Sequence, residues 1–176
     1  MPFPEGSSLV RLSNTHIFKP FDCGDEDLNN FLLNDSKGSM GLLQSVTSIL
    51  ENEEDTIGFF SLLNDKISSE EFDSKSQWKN WFNHKKPKKK KGYPAMKIGR
   101  LAISSKYQNM KIGQGMLDFL KIQFVTNNRT GCKFITVDAY VNSLDFYSKN
   151  GFKFLTNDDA HDSDTRVMYF DLVQIT

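Results

Sequence analysis

Apolar and polar residues alternate with different periods along this chain, and each change of period marks a predicted element. Residues 9–12 are an apolar run of strand length. Residues 21–33 open with Asp22, Asp25, Glu26 and Asp27, which suits a helix N-terminus, where exposed N–H groups and the positive dipole end attract carboxylates. Leu28, Phe31 and Leu32 then fall on one helical face. Residues 45–50 and 56–63 read as two strands of a hairpin, joined by the polar turn Glu51-Asn-Glu-Glu-Asp55. The stretch 64–95 is polar, holds Trp78 and Trp81, and ends in a lysine-rich segment; its pattern predicts a short helix followed by a mobile basic loop. A strand returns over 96–103. Residues 113–126 have helical period, with Met116, Leu117, Leu120 and Phe124 inward. Residues 133–139 predict a strand, and 142–150 a helix opened by an Asn142-x-x-Asp145 variant of the capping box and closed by Gly151. Residues 152–155 and 166–172 complete the set as strands, with no internal repeat.

This order implies a mixed sheet whose second half runs strand–helix–strand–helix–strand, an α/β layered fold with a site near the strand ends. A chain of 176 residues suits one domain, 1–176, in which 64–95 is a polar and basic insertion. Its 38% hydrophobic and 12% aromatic content, with 15 Phe, indicates a packed globule. The 22 basic and 22 acidic residues balance, so attraction to nucleic acid or an anionic membrane must come from a local patch. Cys23 and Cys132 lie far apart without metal-ligand spacing, which predicts no metal and a reducing compartment. The opening residues lack the blocks of a signal peptide, and no apolar run approaches the roughly 18–20 residues of a membrane span. A soluble, cytoplasmic protein with no membrane partner is the expectation.

Two segments carry candidate chemistry. The first is Arg100-Leu-Ala-Ile-Ser-Ser-Lys-Tyr-Gln-Asn-Met-Lys-Ile-Gly-Gln-Gly-Met-Leu117, a strand that enters a short polar loop and then a helix. First-turn N–H groups carry partial positive charge, and Gly113 and Gly115 leave them unobstructed, so a phosphate can approach. The same glycines also suit tight turning and helix–sheet packing, and spacing alone does not choose between these. The second is Val137-Asp-Ala-Tyr-Val-Asn-Ser-Leu-Asp-Phe-Tyr-Ser-Lys-Asn-Gly-Phe152. Within it Asn142 reads as a helix cap, Phe146 and Phe152 as core, and Tyr147 as a packing residue with a tethered hydroxyl.

Taken together, these segments resemble the GNAT acetyltransferase family. Gln108-Asn-Met-Lys111-Ile-Gly113 is similar to its pyrophosphate loop, Gln/Arg-x-x-Gly-x-Gly/Ala. Asn142, Phe146, Tyr147, Gly151 and Phe152 match its Asn…Phe-Tyr-x-x-x-Gly-Phe stretch. The resemblance is strongest over residues 96–155 and implies a central mixed sheet of six to seven strands flanked by helices, with acetyl-CoA as co-substrate. It further implies that the backbone of Leu101, Ala102 and Ile103 holds the pantetheine arm. Gln108, Asn109, Met110, Lys111, Ile112, Gly113, Gln114 and Gly115 would surround the pyrophosphate, Asn142 would contribute to donor binding, and Tyr147 would protonate the departing thiolate. Lys111 departs from the pattern by standing at the first glycine. If that position requires positive φ, the lysine costs about 1 kcal/mol, which a fold tolerates.

The resemblance also implies an amine acceptor, which must be neutral to attack. No carboxylate occupies 96–103, where many relatives keep a base. An α-amine, with pKa about 7.7–8, needs less help at neutral pH than a lysine near 10.4. A narrower resemblance points the same way. Phe21-Asp-Cys-Gly-x-x-x-Leu-Asn-x-Phe-Leu32 and Gly99-Arg-Leu-Ala102 look like the toxin-type GNAT branch, which acetylates aminoacyl-tRNA and is neutralised by an antitoxin. The basic run from Lys85 to Lys91 would then meet tRNA phosphates, with Trp78, Trp81, Phe82 and Tyr93 stacking on bases; alternatively, the lysines are a solvated loop and the tryptophans pack it down. GNAT relatives often dimerise, so a homodimer is a further expectation. Three functions follow: acetylation of a small-molecule, peptide or protein amine; acetylation of aminoacyl-tRNA; or a non-catalytic GNAT-like module that binds RNA or protein.

Overall fold

The computed structural model describes residues 3–81, 92–127, 130–156 and 164–176. The lysine run 85–91 and Phe82 lie outside the described residues. Strands β1 (Ser8–Arg11), β2 (Val46–Glu51), β3 (Thr56–Ser68), β4 (Gly92–Ile103), β5 (Phe134–Tyr140), β6 (Lys153–Phe154) and β7 (Thr165–Asp171) form one seven-stranded sheet, ordered β1-β2-β3-β4-β5-β7-β6. The helices are α1 (Glu26–Asn30), α2 (Ser36–Gly41), α3 (Lys75–Trp81), α4 (Ile112–Thr126) and α5 (Leu144–Lys149). This is the expected α/β architecture, a sheet flanked by helices. The chain forms two compact units: Met1–Leu63 with Ile98–Gln123, and Asn64–Lys97 with Phe124–Thr176. β3 and β4 each contribute residues to both.

In the first unit the expected hairpin is present. β2 pairs antiparallel with β3, placing Ile49 opposite Phe59, and β1 pairs antiparallel with β2. Alternation sends Phe59 to one face, where it stacks on Phe31 at 6.1 Å and meets Phe21 edge-on at 5.6 Å. Leu12, Leu32, Ile49 and Ala102 close this core. Phe60 points the other way, 6.3 Å from Phe119 of α4. Each fully buried large side chain of this kind contributes roughly 1.5–3 kcal/mol. The acidic opening behaves as its chemistry dictates: Asp25 caps α1 by accepting the Leu28 N–H at 3.1 Å, and Glu26 and Asp27 fill the first turn. The chain then widens into a π-helical stretch over Phe31–Asp35, and the buried Ser36 hydroxyl donates to the Leu32 carbonyl at 2.6 Å. Met116, Leu117 and Leu120 of α4 are buried as their spacing predicts, whereas Phe124, assigned to the second unit, is only half-buried.

The second unit corrects the reading of 64–95. β3 continues through Ser68 and β4 begins at Gly92 rather than 96, so Ile67, Tyr93 and Ala95 belong to a core with Phe134 and Leu155. The polar Asn64, Asp65 and Lys66 and the exposed Pro94 hide these strands from a hydrophobicity pattern. The short helix is present as α3. Its two tryptophans pack rather than stand free. Trp78 and Trp81 stack at 5.9 Å, and Trp81 lies 5.4 Å from Phe134 and edge-on to Tyr169 at 5.0 Å. β5 pairs antiparallel with β7, which also pairs antiparallel with the two-residue β6.

Candidate active site

The candidate residues lie in both units, and each unit brings its own set together. In the first, β4 ends at Ile103 and a 3-10 turn (Ser105–Tyr107) leads to the loop 108–111 and then α4. Asn109 and Lys111 both hold left-handed backbone, at φ 63° and 60°. The position where the family pattern has glycine therefore does require positive φ, and Lys111 occupies it at an energetic cost. Its carbonyl accepts the Gly115 N–H at 3.0 Å, the first bond of α4. The N–H groups of Ile112, Gly113 and Gln114 precede that bond and have no intrahelical partner. No acidic residue sits in the first turn of this 15-residue helix to offset its positive end. Gln108, Asn109, Met110, Lys111 and Gln114 are exposed, Ile112, Gly113, Gly115 and Ala102 are buried, and Leu101 and Ile103 are half-buried. This arrangement can take an anion at its backbone.

The loop is held by polar contacts that the sequence pattern did not reveal. Gln108 donates its amide to the carbonyls of Cys23 and Ile103, both at 3.0 Å, so its side chain braces the loop. The Ser105 N–H donates to the Asp22 carbonyl at 2.8 Å. The Phe-Asp-Cys-Gly segment is itself a tight turn. Asp22 accepts the Gly24 N–H at 2.9 Å and the Asn29 amide at 2.8 Å, which hold its carboxyl below the usual range, and Gly24 supplies φ 82°. On the other side, Tyr107 donates its hydroxyl to Asp55 at 2.8 Å and accepts from Asn52 at 3.1 Å, while Lys106 pairs with Asp55. The sequence pattern marks these residues only as a hairpin turn and a loop. Cys23 donates its thiol to Asn29, and burial raises its pKa.

In the second unit, Tyr147 lies one turn into α5 and is buried. Phe146 and Phe152 meet its ring edge-on at 5.1 and 5.3 Å. Burial pushes the phenol well above its ordinary value of 10, so it remains a protonated donor across neutral pH. Among the described residues, none hydrogen-bonds to its hydroxyl. The Tyr147 carbonyl accepts the N–H groups of Asn150 and Phe152, and Gly151 closes the helix at φ 84°, with the Phe170 ring so near that a Cβ would sit 3.1 Å from it. Asn142 does not cap this helix. It sits in a preceding 3-10 turn (Val141–Ser143), exposed, and its side-chain oxygen accepts the Ser143 hydroxyl. The residue before α5 is Ser143, which makes no side-chain cap bond. Among the described residues no cluster of His, Cys, Asp and Glu is arranged to hold a metal, and no helix is long and apolar enough to cross a membrane.

Residues 85–165 match the family model described as acetyltransferase (GNAT) domain. Over that stretch the chain is similar to a GNAT acetyltransferase domain. Its fold is similar to the solved structure of AtaTR bound with AcCoA (TM-score 0.75, 20% identity, 97% of this chain and 96% of that one). It is likewise similar to AtaT complexed with acetyl-methionyl-tRNAfMet (TM-score 0.73, 20% identity, 96% of each chain). A third is a mutant AtaT toxin bound to the C-terminus of the antitoxin AtaR (TM-score 0.72, 19% identity, 96% and 93%). No curated protein matches this chain in sequence.

Proposed function

We propose that this protein transfers the acetyl group of acetyl-CoA to a primary amine by direct attack. The match of residues 85–165 to a GNAT domain carries this reading, because that stretch includes both the donor loop and Tyr147. The pyrophosphate rests on the backbone from Gln108 to Gly115, chiefly the N–H groups of Ile112, Gly113 and Gln114. The backbone of Leu101, Ala102 and Ile103 holds the pantetheine arm, and Asn142 contributes to donor binding. The neutral amine nitrogen bonds to the thioester carbonyl carbon and forms a tetrahedral intermediate. The C–S bond breaks as that intermediate collapses, Tyr147 gives its proton to the departing thiolate, and the proton lost by the attacking nitrogen passes through solvent to restore the phenol. A buried, protonated phenol supports that role.

The acceptor we favour is the α-amine of an aminoacyl-tRNA. The likeness to a toxin complexed with acetyl-methionyl-tRNA supports it, as does the absence of a carboxylate over 96–103, since an α-amine is appreciably neutral near pH 7. On this reading the protein works in the cytoplasm as one catalytic domain, 1–176, and is neutralised by an antitoxin. Lys85 to Lys91 supply tRNA phosphate contacts, and a homodimer is the working assembly.

Titration of acetyl-CoA into the purified protein, with desulfo-CoA and adenosine diphosphate as controls, tests the donor half. Saturable binding that needs both pyrophosphate and pantetheine is expected, and absence of binding overturns the reading. Acetylation of aminoacyl-tRNA, weakened by salt and by neutralising 85–91, tests the acceptor half. Efficient transfer to small amines with no tRNA affinity points to the other acceptor class.

A further inference from the structure

The donor loop is anchored on two sides. On one, the Asp22–Asn29 turn takes the Ser105 N–H and the Gln108 amide through backbone carbonyls. On the other, one carboxylate gathers two loop side chains: Asp55 receives the Tyr107 hydroxyl at 2.8 Å and pairs with Lys106. The Asp55 side chain is only 18% exposed, although it sits in a hairpin turn. The turn that presents it is built for the purpose. Asn52 accepts the N–H groups of Glu54 and Asp55 at 3.0 and 2.8 Å, the Asn52 N–H donates to the Asp55 carbonyl, and the Asn52 amide donates to Tyr107. Lys19 donates to the Asn52 carbonyl from the chain before α1 and also pairs with Glu51. From this turn the Asp55 carboxylate reaches Lys106 and Tyr107, and the Asn52 amide reaches Tyr107.

We infer that Asp55 is a positioning residue for the donor loop, acting through Lys106 and Tyr107 to hold the backbone of 104–111 in its anion-binding form. The inference rests on the acetyl-transfer reading above. A loop with two left-handed, non-glycine residues relaxes readily to other conformations, and a fixed carboxylate at its entry restricts that relaxation. Asp55 also neutralises Lys106. Lys111 has no ion-pair partner among the described residues, so it is the lysine of this loop left for the donor's phosphates.

The test compares Asp55→Asn with Glu53→Gln, which removes the same charge from an exposed site in the same turn. In the free protein, amide exchange over 104–111 should quicken in Asp55→Asn and stay unchanged in Glu53→Gln. Acetyl-CoA KM should rise about tenfold in Asp55→Asn while kcat stays within about twofold. In a Tyr107→Phe background, Asp55→Asn should add less than it does alone, because the two share one contact. Unchanged exchange over 104–111, equal effects of the two variants, or a loss in kcat with KM preserved would overturn the inference. Failure of the wild-type protein to bind acetyl-CoA would sink the acetyl-transfer reading alone. The exchange arm, run without donor, still decides whether Asp55 holds the loop.

Discussion

On the proposed mechanism, the donor loop and the Tyr147 helix prepare two chemical groups by opposite means. The loop in the first unit is exposed and polar. It is kept in shape by hydrogen bonds that Asp22, Cys23 and Asp55 accept and that Asn52 and Gln108 donate, and it leaves main-chain N–H groups open at the start of α4. Tyr147 in the second unit is buried against aromatic rings, and desolvation sets its acidity. An anion site must keep its donors unpaired until the ligand arrives, so the surrounding polar groups are turned on each other. A proton donor must keep its proton, and the rings packed around Tyr147 favour the neutral phenol. Polar bracing thus suits the first task and apolar packing the second.

Three substitutions test that contrast. The largest effect is expected from Tyr147→Phe, which keeps the ring and removes the proton. Turnover should fall about 10²–10⁴-fold with acetyl-CoA affinity intact, and equal turnover would remove Tyr147 from the mechanism. Because the phenol is held above its ordinary value of 10, wild-type activity should show no alkaline limb from Tyr147 below that pH. Next is Phe134→Ala in the aromatic core of the second unit, which should cost about 3–5 kcal/mol in denaturant unfolding. A loss under about 1 kcal/mol would mean that the tryptophan cluster refills the space, and that packing there is looser than the ring contacts indicate. The smallest is Lys111→Gly. Relief of the left-handed lysine, less the added freedom of the unfolded chain, should raise stability by about 1 kcal/mol or less while acetyl-CoA still binds. A fall in stability would show that the loop pays nothing for its lysine.

Much of this was legible in the chain. The alternation over 45–63 specified the β2–β3 hairpin, the acidic cluster at 25–27 specified the start of α1, and the two spaced motifs gave the GNAT resemblance that the family model matches over 85–165. The left-handed demand at Lys111 followed from the motif as a condition, and the φ angle meets it. What escaped had physical reasons. The far ends of β3 and β4 carry polar residues and a proline, so their burial becomes visible only when Phe134 and Tyr169 come alongside. Asn142 has the composition of a cap, yet its side chain is taken by its neighbour Ser143. The Asp55–Tyr107 bond joins residues 52 positions apart. No local pattern encodes such a pairing, which depends on a turn and a loop being brought together by the sheet.

The stacked indoles of α3 have a practical consequence. The chain has two tryptophans, Trp78 and Trp81, and both lie in the second unit, 5.9 Å apart and 17° from parallel. Intrinsic indole emission therefore reports on that unit alone, and the close stacking gives it an exciton signature in circular dichroism. The first unit, with its donor loop, is dark at those wavelengths, so melting the two by light and by heat capacity reads different parts of one molecule.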